Sequence, residues 1–410
     1  MKQLFYALLF TLPSVLSAQD SGFIHGTITT IDGKSYKGPI RWGKEEVFWT
    51  DHFNSAKEEN DNLQYLSREQ REALDDRYHG NNGRLMHWVT NKAFSYHHDS
   101  GYNHAHQFVC QFGEIQSMTP IARNKVKLVL RDGRQVDISG EGYNDIGGDI
   151  KIIDPELGEM NIDWARIEKV EFSEQNKIDK PFGKPLFGKV ETHSGTFTGY
   201  IQWDHDERVS TDKLDGSADE GKLSVEFANI RSIENRGNSS QVILKSGREV
   251  TLRGTNDVND ENRGIVVMTK TMGRIDIPWQ EFRKVQFADH AGFDLKSYSE
   301  FKKQRQLEGS VVTTDGKVIK GRIVYDLDEE FDYEMLQGKD DNVEYFIPFG
   351  DIKRIMPKNY DYSNIELKNG EKLLLGEGQD VSDRNTGMLV FSGSEPTYIT
   401  WEKIKEVNFN

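Results

Sequence analysis

Apolar and polar positions alternate with a period of two in short segments along most of the chain. Segments such as "KVKLVLRDGRQVDISG", "QVILKSGREVTLRG" and "NIELKNGEKLLLGEG" place alternating Val, Leu and Ile on both sides of an Asp-Gly, Ser-Gly or Asn-Gly pair. Alternation broken by such a pair is typical of a β-hairpin. The pattern therefore predicts an all-β chain.

The same pattern is written three times. Each copy opens with two glycines about seven residues apart, then a third glycine and an apolar-x-aromatic step. The three openings are Gly26, Gly33, Gly38, Ile40 and Trp42; Gly188, Gly195, Gly199, Ile201 and Trp203; and Gly309, Gly316, Gly321, Ile323 and Tyr325. Each copy has two halves, and the first half ends with the pattern Phe-x-x-apolar-x-x-apolar. The second half ends with the pattern Trp-x-x-apolar-x-x-Val-x-Phe, at 164–172, 279–287 and 401–409. Recurrence at this length predicts three tandem repeats, each made of two small modules.

A module of about five short strands has exposed edges, and closing the sheet into a barrel removes them. The segment "TTDGKVIKGRIVYDLDEE", followed by "FIPFGDIKRI", resembles the hairpin and closing strand of an Sm-like barrel. The resemblance implies two small SH3-like or Sm-like β-barrels in each repeat. The RNA-contacting residues of that family do not carry over, because acidic runs replace its Asp-x-apolar-Asn loop. The acidic runs are Asp204, Asp206 and Glu207, and Asp326, Asp328 and Glu329. We expect them to be solvated hairpin tips or sites for an ion or a basic partner.

Composition shifts and prolines divide the chain. The predicted divisions are a signal peptide (1–18), repeat 1 (19–172, with an insertion at about 53–106), a linker (173–185), repeat 2 (186–287), a linker (288–306) and repeat 3 (307–410). Pro181 and Pro185 stand in the first linker, and Ser297 to Gln306 in the second is expected to form a short helix. We expect each repeat to fold separately.

The first residues and the charge indicate where the protein acts. "MKQLFYALLFTLPSVLSAQD" has a basic residue, a short apolar run and small residues before a polar step, which is typical of a secretory signal peptide cleaved after Ala18. No later stretch approaches the length of a membrane helix. The net charge of −15 argues against wrapping of nucleic acid, whose phosphates require a basic surface. We expect a secreted or periplasmic protein with no membrane span.

The insertion in repeat 1 is rich in histidine. Ser67 and Gln70 form a capping-box pattern, which predicts a helix from about Ser67 to His79. Further along lie four histidines that could supply imidazole ligands to Zn²⁺ or Cu²⁺: His97, His98, His104 and His106. The alternative is an ordinary polar-aromatic loop that is either structural or in contact with a partner.

Two segments of the later repeats share the pattern Asp-Val-x-Asp-x-Asn-x-Gly. Their oxygen-bearing side chains suit Ca²⁺, and they are Asp257, Asp260 and Asn262, and Asp380, Asp383 and Asn385. The alternative is that these side chains cap turns by accepting hydrogen bonds from nearby backbone amides.

No familiar catalytic motif occurs, and Cys110, the single cysteine, alternates with Phe108 and Phe112 as a core residue would. We therefore expect an exported, non-enzymatic protein that binds or scaffolds a protein or glycan outside the cytoplasm. Two alternatives stay open: a metal-dependent enzyme or metal-handling protein that uses the histidine-rich insertion, and a glycan-binding module that uses the tryptophans at the repeat ends.

Overall fold

The computed structural model describes residues 22–57, 60–80, 107–175 and 182–410. Within these residues the chain is nearly all β, with thirty strands and a single α-helix. All strand pairs are antiparallel and form a ten-stranded sheet, an eighteen-stranded sheet and a two-stranded sheet. The all-β prediction is confirmed.

The first region, residues 22–175, forms the ten-stranded sheet. Its strands are β1 (His25–Thr30), β2 (Ser35–Trp42), β3 (His52–Lys57), β4 (Gln107–Gln111), β5 (Ile115–Ala122), β6 (Lys125–Leu130), β7 (Gln135–Ser139), β8 (Ile150–Asp154), β9 (Gly158–Ile162) and β10 (Ile167–Phe172). Their order across the sheet is β4-β3-β7-β6-β5-β10-β1-β2-β8-β9. The helix α1 (Arg68–Gly80) lies between β3 and β4 in the sequence.

The second region, residues 182–287, contributes β11 (Phe187–Thr192), β12 (Thr196–Trp203), β13 (Lys213–Ala218), β14 (Gly221–Glu226), β15 (Ile230–Asn235), β16 (Ser240–Leu244), β17 (Glu249–Leu252), β18 (Ile265–Thr269), β19 (Arg274–Ile277) and β20 (Phe282–Phe287). Here β11 pairs with β12 and β20; β18 joins β12 to β19, and β15 joins β20 to β16 and then β17. The strands β13 and β14 pair with each other. An isolated β-bridge between Ser217 and Arg253 joins this hairpin to the residue that follows β17.

The third region, residues 307–410, contributes β21 (Glu308–Thr313), β22 (Val318–Val324), β23 (Met335–Asp340), β24 (Val343–Pro348), β25 (Ile352–Pro357), β26 (Tyr362–Leu367), β27 (Lys372–Gly376), β28 (Met388–Phe391), β29 (Pro396–Ile399) and β30 (Ile404–Phe409). Here β21 pairs with β22 and β30, and β28 joins β22 to β29. On the other side, β25 joins β30 to β26, which continues through β27 and β23 to β24.

Large open sheets take the place of the small closed barrels that we expected. The first sheet runs from β4 to β9 without closing on itself. The second and third regions share one sheet, because β19 pairs with β24 through Ile275 opposite Tyr345. Pairing with a neighbouring region satisfies the backbone groups of an edge strand as closure would.

The recurring glycines stand where two strands come too close for a side chain. A Cβ atom on Gly26 would lie 2.4 Å from the backbone oxygen of Glu171, and one on Gly38 would lie 1.9 Å from that of Ile153. Their counterparts in the later regions meet backbone oxygens at similar distances: Gly188, Gly199, Gly309 and Gly321. Only glycine permits this approach.

Two hydrophobic cores include side chains from more than one region of the chain. One buried cluster combines apolar side chains of the second and third regions. The core of the first region includes Tyr298 and Phe301, which belong to the second linker. Within the segment where we expected a short helix, that linker forms a 3-10 helix at Tyr298–Glu300. No helix among the described residues has the length and apolar character needed to cross a membrane.

Candidate functional site

The four histidines of the metal hypothesis lie outside the described residues: His97, His98, His104 and His106. A Zn²⁺ or Cu²⁺ site there stays a prediction, as does the signal peptide, because residues 1–21 are also outside the described part.

The described part of the insertion follows β3. Phe53 to Lys57, which we counted with the insertion, belong to that strand and pair with β4. The predicted capping box is present, since the amide of Ser67 donates to Gln70 Oε1 at 2.8 Å and the amide of Gln70 donates to Ser67 Oγ at 3.2 Å. Leu66 packs against Val324 and its buried neighbours in the third region.

The first predicted calcium set has two buried members and one exposed member. Asp257 and Asn262 are buried, whereas Asp260 is exposed. The Asn262 amide is used by the backbone: its Oδ1 accepts from the Gly264 amide at 2.9 Å, and its Nδ2 donates to the Asp257 carbonyl oxygen at 3.3 Å. These bonds are those of the turn-capping alternative.

The second set has the same arrangement. Asn385 is buried, accepts a hydrogen bond from the Gly387 amide at 2.9 Å and donates to the Asp380 carbonyl oxygen at 3.3 Å. Asp383 is exposed. The Asp380 carboxylate is buried and accepts from the Gln337 amide at 2.6 Å.

The expectation that the acidic runs are solvated hairpin tips is wrong for Asp204 and Asp326, which are 0% and 1% exposed. Both adopt positive φ. Asp204 then accepts from the Arg263 amide at 2.5 Å, and Asp326 accepts from the amide and hydroxyl of Thr386. Asp328 is also buried and pairs with Lys57 at 2.9 Å.

Three carboxylates of the first region form the tightest acidic group. Glu45, Glu46 and Asp145 each place an oxygen within 4.8 Å of the others, and no other three His, Cys, Asp or Glu residues of the described ranges do so. Asp145 is held by Asn54, whose amide donates at 2.5 Å and whose side chain donates at 3.1 Å. The turn between β2 and β3 supplies the two glutamates, and the segment before β8 supplies the aspartate.

Burial and like charge favour the neutral form of these acids. Removal from water, with a smaller contribution from the Glu45 carboxylate, raises the pKa of Asp145 to about 7 against the opposing effect of the hydrogen bonds from Asn54. Burial also holds the pKa of Glu46 well above its usual range, and the charges of Asp145 and Glu45 act in the same direction.

An acidic group occupies the corresponding turn of the other two regions. Burial raises the pKa of Glu207 to about 9, with Asp257 and Asp206 adding to the shift. In the third region, burial and the neighbouring Asp380 carboxylate hold the pKa of Glu329 well above its usual range. In both glutamates Oε2 is buried without a hydrogen-bond partner among the described residues.

Sequence reasoning missed Glu45, Glu46 and Asp145. One signal was available: a glutamate follows the aromatic residue by four positions in each copy, at Trp42–Glu46, Trp203–Glu207 and Tyr325–Glu329. In each pair the two residues form an isolated β-bridge. An aromatic donor then reaches the carbonyl oxygen of the partner aspartate, as Trp42 Nε1 does to Asp145 at 2.7 Å.

A second acidic position recurs at the contacts between regions. Asp51 accepts from the Val47 and Phe48 amides through Oδ2 and from Arg208 of the second region through Oδ1, at 2.6 Å. Asp212 caps the same turn of the second region and pairs with Arg41 of the first at 2.7 Å. Glu334 caps the turn of the third region and pairs with Lys57 of the first at 2.9 Å.

The aromatic residues at the ends of the copies are buried. Trp164, Trp279 and Trp401 are 6%, 3% and 4% exposed, so these rings cannot form the exposed sugar-stacking surface of the glycan alternative. Cys110 is buried in the core of the first region, as predicted.

Comparison of the chain with protein-family models, curated proteins and solved structures finds no match.

Proposed function

We propose that this protein is an exported, non-enzymatic scaffold built from three repeated units, and that it binds a protein partner outside the cytoplasm. The repeat is supported by strand pairing. In the first region β1 lies between β2 and β10, in the second β11 lies between β12 and β20, and in the third β21 lies between β22 and β30. The hairpins on either side of these three strands come in the same order in all three regions.

The observation that carries the scaffold proposal is the recurring acid at the contacts between units. Asp51, Asp212 and Glu334 each cap their own turn and bind a cation of another unit. Because the Arg208 and Asp51 side chains are only 1% and 6% exposed, their pairing depends on fixed geometry between the units. Units held in this way present their surfaces to a partner in one orientation.

The insertion supplies the recognition surface. Its counterparts are two-residue turns: Asp219–Glu220 joins β13 to β14, and Asp341–Asn342, both with positive φ, joins β23 to β24. Residues 58–106 therefore replace a tight turn at one edge of the first sheet. A unit-specific insertion on a rigid framework is where binding residues commonly occur.

The test compares the mature chain with a variant in which Asp-Asn, the turn of the third unit, replaces residues 58–106. Each protein serves as bait for the envelope and secreted fractions of the source cells. As a matched control, the Asp219–Glu220 turn of the second unit is replaced by Asn-Gly. We expect a partner that the intact chain and the control capture and the deletion variant does not, with the β-sheet circular dichroism spectrum kept by all three.

Capture of the same partner by the deletion variant would move recognition to the sheets, and capture by none would contradict the binding function. Export is tested by the mass of the secreted protein, which should begin at Gln19.

A further inference from the structure

The Glu45, Glu46 and Asp145 group has one member without a partner. Asp145 is satisfied by Asn54. Glu45 Oε1 accepts from Asn144 at 3.1 Å and from Arg263 at 3.2 Å. Glu46 is 6% exposed, and its carboxylate has no hydrogen bond or ion pair to any described residue. A largely buried carboxylate placed beside two others, with no protein donor of its own, is stabilised by a proton or by a cation.

The nearby cations do not neutralise the group. Arg263 reaches Glu45 but is shared with Asp204 and Asp206 of the second unit. Arg274 acts on Glu46 and Asp145 only through space, since its own ion pair is with Asp276 at 3.3 Å. The acids therefore outnumber the cations that contact them.

The same position has a buried, unpartnered oxygen in the second and third units. Oε2 of Glu207 and Oε2 of Glu329 are buried without a hydrogen-bond partner among the described residues. In native proteins most buried polar atoms are hydrogen-bonded, and exceptions often mark a ligand. The recurrence is independent of the closeness of the three acids in the first unit and points to the same ligand class.

We propose that Glu45, Glu46 and Asp145 bind a hard divalent cation, for which Ca²⁺ is the fitting probe. The donor set consists of carboxylate oxygens alone, with no thiol or imidazole, which is the set that Ca²⁺, Mg²⁺ and Mn²⁺ prefer over Zn²⁺ or Cu²⁺. This site is distinct from the predicted Asp257 and Asp380 sets and does not depend on the proposed partner.

Its position assigns the cation a role at the contact between the first and second units. The Glu45 carbonyl oxygen accepts from Gln202 Nε2 at 3.2 Å, and the Glu45 carboxylate meets Arg263. Both partners belong to the second unit. A cation that fixes Glu45 thereby stabilises this contact, and its binding stabilises the folded state by mass action.

The test is calorimetric titration of the chelator-treated mature chain with CaCl2, with MgCl2 and MnCl2 as further arms. The variants are Glu46→Gln and Asp145→Asn, and the matched control is Glu159→Gln, an exposed glutamate of β9 paired with Lys151. We expect the intact chain and the control to bind one more equivalent of cation than either variant. Addition of Ca²⁺ should raise the melting temperature of the intact chain by more than that of the variants.

Glu46→Gln removes a like charge without changing shape, so the metal-free variant should melt no lower than the metal-free intact chain. Absence of cation binding to the intact chain at millimolar concentration would overturn the proposal, and so would equal stoichiometry in the intact chain and both variants. A metal-free chain that is fully stable, and whose melting temperature does not change when a cation is added, would show that protons alone neutralise the group.

Discussion

The Arg208–Asp51 ion pair is buried between two units, and a double-mutant cycle measures what it contributes. The perturbations are Arg208→Met, Asp51→Asn and both together. The Arg208 Nε and Nη2 atoms donate to Asp51 Oδ1 at 3.1 and 2.6 Å, and the guanidinium also lies 5.1 Å from the Phe48 ring. Each single change leaves one charge buried without its partner.

Breaking a buried pair from one side costs about 3–5 kcal/mol, because desolvation of the remaining charge is no longer offset. Asp51→Asn keeps an oxygen that can accept from the Val47 and Phe48 amides, so its cost should come chiefly from the lost charge. The double variant should be destabilised by less than the sum of the single variants, with a coupling energy of about 1–3 kcal/mol.

The assay is urea unfolding of the protein, followed by tryptophan fluorescence. As a control, the same cycle on Lys189 and Glu191, whose side chains are 49% and 36% exposed, should give a coupling energy below about 1 kcal/mol. The assignment of this contact as a fixed interface would be refuted by either of two results. One is that the changes in the free energy of unfolding caused by the single variants at Arg208 and Asp51 are additive, and the other is that these changes are no larger than those of the exposed pair.

Three further predictions concern the core, the pH response and the domain boundary. Trp279→Ala, which removes a ring 5.9 Å from that of Trp203, should lower the free energy of unfolding by about 3–5 kcal/mol, whereas Ala at Tyr360, which is 75% exposed, should change it little. Burial raises the pKa of Glu114 to about 7, so its contribution to stability is present below its unfolded pKa of about 4.5 and is lost as the pH rises through 7. Glu114→Gln should remove that part of the pH dependence in thermal melts, and an unchanged pH profile would contradict it. A fragment of residues 185–289 should unfold at lower urea than one of residues 185–410, since it loses the β19–β24 pairing; equal midpoints would show that the second unit is autonomous.

The sequence was sufficient for the local structure. The three quoted hairpins occur as β6–β7, β16–β17 and β26–β27, with Gly133, Gly247 and Gly370 at positive φ in their turns. The α1 start also follows the predicted capping box. These features depend on residues close together in the chain, where turn chemistry and alternation act directly.

The longer-range features could not be derived in the same way. The alternating pattern of β19 and of β24 would be the same if each strand lay at an exposed edge of its sheet. The pattern therefore does not indicate that the two strands pair with each other. The burial of Asp204 and Asp326 follows from positive φ and distant backbone donors. A run of acids resembles a solvated surface until those donors are known. The Glu46 position was visible only as a spacing from Trp42, which had no chemical meaning without the fold.

The position of Tyr298 has a consequence for the order in which the chain matures. Its hydroxyl donates to the Ile115 carbonyl oxygen at 2.9 Å, and its ring lies 4.4 Å from that of Trp49, although both partners are far earlier in the sequence. Phe301 packs beside Gly113, where a Cβ atom would meet its ring at 2.4 Å. A chain that emerges from its N-terminus therefore cannot complete the core of the first sheet until the residues after the second unit arrive. During that interval the apolar surface that Tyr298 and Phe301 later cover is accessible to chaperones and to other nascent chains.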